Sequence, residues 1–144
     1  MTPWPTRPFL ALAGLLLVAI GGSILVVPHA FFATNGIVLG DDPSLLSEIR
    51  APGGLLAASG LLILLGAVRA GVRPLATTLT VLVYGSFGLA RLVAMAFDGL
   101  PASGVVGATV IELVIAAIGL VVLVRRSGSA SAVPSASLTE TASA

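Results

Sequence analysis

Apolar runs separated by short polar breaks make up almost the whole chain. Four runs stand out, at residues 8–27, 45–68, 74–97 and 102–124. Each holds about 20 residues or more, the length a helix needs to cross a hydrocarbon core roughly 30 Å thick. The pattern predicts an all-α integral membrane four-helix bundle, with four transmembrane spans joined by short connections. Residues 1–126 would form this domain. Residues 127–144 are mostly Ser, Ala and Thr, with too little apolar bulk to offset ordering entropy, so a disordered cytoplasmic tail is expected there.

The breaks carry start and stop signals. Pro8 suits the first turn of span 1, and Pro28 cannot continue its hydrogen-bond ladder. The longest connection, residues 28–42, contains Phe31, Phe32 and the apolar stretch 37–39, and is expected to lie on the membrane surface. Asn35-Gly36 is a turn signal, and Asp42-Pro43 reads as an N-cap and first-turn pair opening span 2. Pro52, followed by Gly53 and Gly54, is expected to kink span 2. Residues 69–73 form a tight loop, residues 98–101 turn the chain into span 4, and Arg125 and Arg126 stop it.

Charge placement orients the spans. Arg7, Arg69, Arg73, Arg125 and Arg126 fall on one side, while the other two connections hold Asp41, Asp42 and Asp98 and no Arg. Both termini are therefore expected in the cytoplasm. Arg7 ahead of an apolar run also resembles a signal peptide. The run is longer than a typical h-region and no small-residue cleavage site follows, so a retained first helix is expected.

Composition narrows the chemistry. The 144 residues are 57% hydrophobic and 9% charged, with a net charge of +1, which gives no basis for a nucleic-acid partner. All basic residues other than His29 are Arg, and Ala, Gly and Val abound, which fits a GC-rich bacterial genome and a multi-pass protein of the inner (cell) membrane. With no Cys, thiol chemistry and thiolate metal sites are excluded. One His cannot build a multi-histidine metal site or a serine-type triad, and the Gly-rich stretches 85–88 and 104–107 lack a phosphate-loop context. No cofactor is expected.

Candidate function lies in the charges inside the runs. Counting along the helices from the expected outer surface puts Glu48 at roughly 5 Å, Arg50 at about 8 Å, Arg91 at about 9 Å and Glu112 near 15 Å, with Asp98 at the rim. A stripe of Thr77, Tyr84, Arg91 and Asp98 at seven-residue spacing is expected to face the bundle. Glu112 has Ala108, Thr109, Ala116 and Gly119 at helical spacing, which predicts a close helix contact that buries it. Glu48 and Arg50 lie about 200° apart around an ideal helix, so both cannot face inward without help from the kink or a neighbour. An isolated charge near the midplane costs roughly 2.5–3.5 kcal/mol, which pairing Arg50 or Arg91 with Glu112 would offset. The pair could do no more than fix helix register, or it could form part of a polar pocket.

The blocks Glu48-Ile-Arg50-Ala-Pro52-Gly53-Gly54, Gly88-Leu-Ala-Arg91, Asp98-Gly99-Leu-Pro101 and Glu112 resemble a bacterial family of four-helix membrane proteins catalogued as domain of unknown function 4345. The resemblance covers roughly residues 8–126. It implies the same fold and a shared set of polar residues, and no reaction. The leading expectation is a non-enzymatic, binding- or transport-type bundle. Its outer-half pocket would be lined by Glu48, Arg50, Tyr84, Arg91, Asp98 and Glu112, and would take a small polar or amphipathic ligand, with membrane lipid around it. The alternatives are a membrane enzyme on a lipid-soluble substrate with Glu112 as acid or base, and an accessory subunit whose Gly-rich faces serve a partner helix. The sequence names neither the ligand nor an oligomeric state.

Overall fold

The computed structural model describes residues 6–130. They form five α-helices: α1 Thr6–Val26, α2 Pro28–Ala33, α3 Pro43–Val68, α4 Arg73–Asp98 and α5 Ser103–Ala130. A single 3-10 turn, Ala70–Val72, joins α3 to α4, and no strand occurs among the described residues. Helices α1, α3, α4 and α5 are each long and apolar enough to cross a membrane.

Local chemistry sets the ends. Pro28 stops α1 by lacking an N–H and then serves as the first residue of α2. Asp42 caps α3, its side chain accepting the Leu45 N–H at 2.9 Å, with Pro43 following at the first helical position. Helix α3 continues through Pro52, which removes the N–H that would have bonded the Glu48 carbonyl. Helix α5 runs past the apolar boundary at Val124 to Ala130, so the backbone of residues 127–130 is helical. Arg, Ser and Ala do not break a helix, and hydrocarbon thickness limits apolar length rather than helix length. The rest of the tail expected to be disordered lies outside the described residues.

The long connection is more structured than a surface loop. Residues 28–33 coil into α2, and Phe31 and Phe32 stack edge-to-face, ring centres 5.5 Å apart, half-buried against the core. Gly36, at φ 74°, then reverses the chain. Asn35 reaches the first turn of α5, where its Oδ1 would lie 2.9 Å from a Cβ on Gly104. Two aromatic rings that can be buried together draw this segment over the end of the bundle.

The core is an antiparallel pair, α1 against α3, packed almost backbone to backbone. A Cβ on Gly14 would stand 2.8 Å from the Gly60 carbonyl, and one on Gly21 would stand 2.5 Å from the Gly53 carbonyl and collide with the Ala57 backbone. Small residues permit this approach, and close packing holds helices together in lipid, where the hydrophobic effect between them is absent. Leu10, Leu17 and Ile63 fill the spaces between. Helix α4 joins at the Arg69 end, where Ala76 sits on Gly66. Arg73 is buried there, its Nε donating to the Gly66 carbonyl at 3.2 Å. Its charge lies at the negative end of α3 and closes that helix.

Helix α5 packs on α4, where Gly88 receives Leu113 and Gly119 receives Val81. Helices α1 and α3 are more buried in the bundle, at 33% and 39%, than α4 and α5, at 17% each, so most of the latter pair is exposed.

Candidate functional site

Helix α4 is the most amphipathic of the spans, and its polar stripe turns inward. Thr77 and Thr80 are fully buried, and each hydroxyl donates to its own helix at 2.8 Å, to the Arg73 and Ala76 carbonyls. One turn on, Tyr84 is 3% exposed and its hydroxyl donates to the Ala13 carbonyl of α1 at 2.6 Å. Gly88 follows, open enough for Leu113 and for the Glu112 methylenes of α5. Arg91 comes next on the same stripe.

Glu112 meets Arg91 across this contact. Thr109 and Gly119 are buried beside it, and the Glu112 side chain is 13% exposed. The Arg91 Nε lies 3.1 Å from Glu112 Oε2. The ionic contact is close, but its direction is not that of a hydrogen bond, and both atoms are buried without another partner. The Arg91 side chain remains 34% exposed. Its other guanidinium nitrogens bond to nothing among the described residues. Arg carries five N–H donors, so this pair leaves most of them unspent.

The six residues expected to share one pocket separate into different surroundings. Arg91 and Glu112 are brought together. Tyr84 is placed in the core instead of a pocket wall, because its hydroxyl reaches back toward the start of its helix and finds a carbonyl on α1. Asp98 is exposed at the end of α4 and forms no ion pair among the described residues. Glu48 and Arg50 are both exposed, with half-buried Ile49 between them. Helix register accounts for this. Gly21 lies opposite Gly53 and Ala57, so Arg50 falls level with the last turn of α1 and stands at the rim rather than within the bundle. Counting depth along α3 alone missed its overhang past the end of α1.

Two charged features escaped sequence reasoning. His29 Nε2 approaches Asp41 Oδ1 at 3.2 Å, across twelve residues of connection. Arg73 is buried, although its position in a tight loop suggested a solvated topogenic charge. The nearby Gly66, seven residues earlier, was the available signal. Among the described residues, no group of three His, Asp or Glu is placed to hold a metal ion.

These observations define a multi-pass helical membrane protein with an ion pair between two of its spans, α4 and α5. The chain belongs to the family described as Domain of unknown function (DUF4345), whose model matches residues 5–123. That match takes in all four spans and both members of the ion pair. No curated protein and no solved structure matches the chain.

Proposed function

We propose that this protein is a non-enzymatic binding component of the bacterial inner membrane, holding a small polar or amphipathic ligand at Arg91 and Glu112. The observation that carries the reading is the unspent donor capacity of Arg91. Its side chain is one-third exposed within a membrane span, while its buried Nε touches one oxygen of Glu112. Water cannot satisfy the remaining N–H groups in hydrocarbon, and an unsatisfied polar group there costs several kcal/mol. A ligand head bearing a carboxylate, phosphate or carbonyl would satisfy them. Its apolar part would lie along the lipid-facing sides of α4 and α5. Glu112 offsets the Arg91 charge when the ligand is away and orients the guanidinium when it is present.

The opposing reading is an ion pair that only fixes the α4–α5 register. A double-mutant cycle with Arg91→Met and Glu112→Gln separates the two. Either single change leaves the other charge unpaired, and the double change should recover part of the loss, with a coupling of roughly 0.5–3 kcal/mol. Native mass spectrometry of each purified variant gives the second readout. The proposal expects a co-purifying mass that disappears from the double mutant and persists in Gly22→Ala, a position with nothing within 4 Å of an added Cβ. Coupling in stability with unchanged ligand content would leave only the register role.

A further inference from the structure

A second polar feature lies away from the ion pair, beside the start of α3. Pro43, Leu46, Ser47, Arg50, Ala51 and Gly54 line an open cleft of about 630 Å³, with Leu25 from the end of α1 and Asp41 from the connection as its walls. The α3 positions follow the i, i+3, i+4, i+7 rule, so one helix face forms the floor. From Pro43 to Gly54 that floor is about 16 Å long, half the thickness of a hydrocarbon core. Polarity changes along it. Asp41, Ser47 and Arg50 lie from the helix start to its second turn, among Pro43 and Leu46; from Ala51 onward the lining is apolar, with Gly54 beside Leu25.

The charges in the cleft are opposite and unpaired with each other. Arg50 forms no hydrogen bond or ion pair with any described residue. Asp41 meets His29 through Oδ1 at 3.2 Å, and its other carboxylate oxygen has no protein partner among the described residues. Exposed opposite charges attract only weakly in water, so both groups stay open to a ligand. At the apolar end, Gly54 keeps the floor low: a Cβ there would touch only Leu25, at 3.8 Å.

We propose that this cleft is a binding site for a bilayer phospholipid whose headgroup carries both a phosphate and a primary ammonium. The phosphate is received by Arg50, whose planar donors match its oxygens. The ammonium is received by the Asp41 carboxylate oxygen that His29 does not approach. Ser47, one turn before Arg50 on the same face, adds a hydroxyl to the lining. One acyl chain descends over Ala51 and Gly54 along Leu25. The sequence of polarity in the cleft is that of the lipid: headgroup charges at the rim, methylenes below. This site is separate from the Arg91–Glu112 pair and stands or falls independently of it.

The test is native mass spectrometry of the full chain, delipidated in detergent and titrated with phosphatidylethanolamine, phosphatidylcholine and phosphatidylglycerol of identical acyl chains. Phosphatidylethanolamine should bind most tightly, on the order of tenfold over phosphatidylglycerol, which Asp41 repels and which offers it no ammonium. Phosphatidylcholine should fall between, because its quaternary nitrogen has no N–H. Arg50→Gln should weaken all three lipids by a similar factor. Asp41→Asn should weaken phosphatidylethanolamine most and phosphatidylcholine less, leave phosphatidylglycerol no weaker, and so erase the preference. Gly54→Val should weaken all three by filling the floor. Arg50 and Asp41 are exposed, so their variants should keep the wild-type melting temperature. An equal affinity for the three lipids in the wild type, or a preference that survives Asp41→Asn, overturns the proposal. So does unchanged binding in Arg50→Gln.

Discussion

Tyr84 donates a hydrogen bond from the third span to the backbone of the first, 71 positions earlier in sequence. The acceptor, the Ala13 carbonyl, lies inside α1, so its second lone pair receives the phenol. Tyr84→Phe keeps the ring and loses only this bond. A fall in stability of about 1 kcal/mol is expected, read as a lower melting temperature of the detergent-solubilised protein. An unchanged melting temperature would mean that the two helices do not meet there. At this same scale Arg91 differs from Arg73. Both are guanidiniums within or beside a span. Arg73 is buried at the end of α3, where its Nε has the Gly66 carbonyl and one terminal nitrogen has no partner, while Arg91 is partly exposed and has one carboxylate oxygen. That difference in exposure, more than the charge itself, makes Arg91 the candidate binding residue.

Helix pairs hold the molecule together by approach distance. Gly21 and Gly22 are neighbours in sequence and opposites in setting. A Cβ on Gly21 would collide with the Ala57 backbone, while one on Gly22 meets nothing within 4 Å. Gly21→Ala should cost about 1–3 kcal/mol, because backbone cannot yield as a flexible side chain can. Gly22→Ala should stay within about 0.5 kcal/mol of wild type, since it touches nothing and alanine favours the helix. Equal effects at the two positions would contradict the α1–α3 register. That register also places Arg50 at the rim, so this pair of variants bears on the lipid cleft as well. The α4–α5 contact is made by side chains instead of backbone: Gly88 and Gly119 face Leu113 and Val81, and Gly85 would accept a Cβ at 3.7 Å from Ala116, an ordinary contact distance.

At the scale of the whole molecule, the two ends of the bundle differ. One end is closed by Arg73 over Gly66 and by the short turn between α3 and α4. The other is crossed by α2, with Phe31 and Phe32 packed inward, and bears Asp41, Asp42 and Asp98. Burial of Arg73 takes one charge from the five Arg expected to set orientation, and leaves Arg7, Arg69, Arg125 and Arg126 on that side. Four Arg outweigh the single Arg50 at the opposite rim under the positive-inside rule, so the Arg-bearing end should face the cytoplasm. Reporter fusions after Ala130 and at Gly40, which is exposed and has nothing within 4 Å, should give cytoplasmic and external signals respectively. The reverse pattern would invert the orientation and place both candidate sites in the inner leaflet.

Several features were legible in the chain alone, because each depends on neighbours in sequence. The four spans follow from apolar length, and the cap at Asp42 follows from an Asp-Pro pair ahead of an apolar run. The inward stripe on α4 follows from seven-residue spacing, and the burial of Glu112 follows from the small residues one turn away on either side. Partnership was not legible, because it depends on register between helices that touch far apart in sequence. Tyr84 and Arg91 share one stripe, yet α1 claims the first and α5 the second. Arg50 and Arg91 lie at similar distances from their helix ends, yet the overhang of α3 past α1 leaves Arg50 at the rim. The fold of α2 over the bundle end, and the His29–Asp41 contact it accompanies, arise from the burial of two aromatic rings. A sequence can mark such a segment as apolar, but only packing decides what it covers.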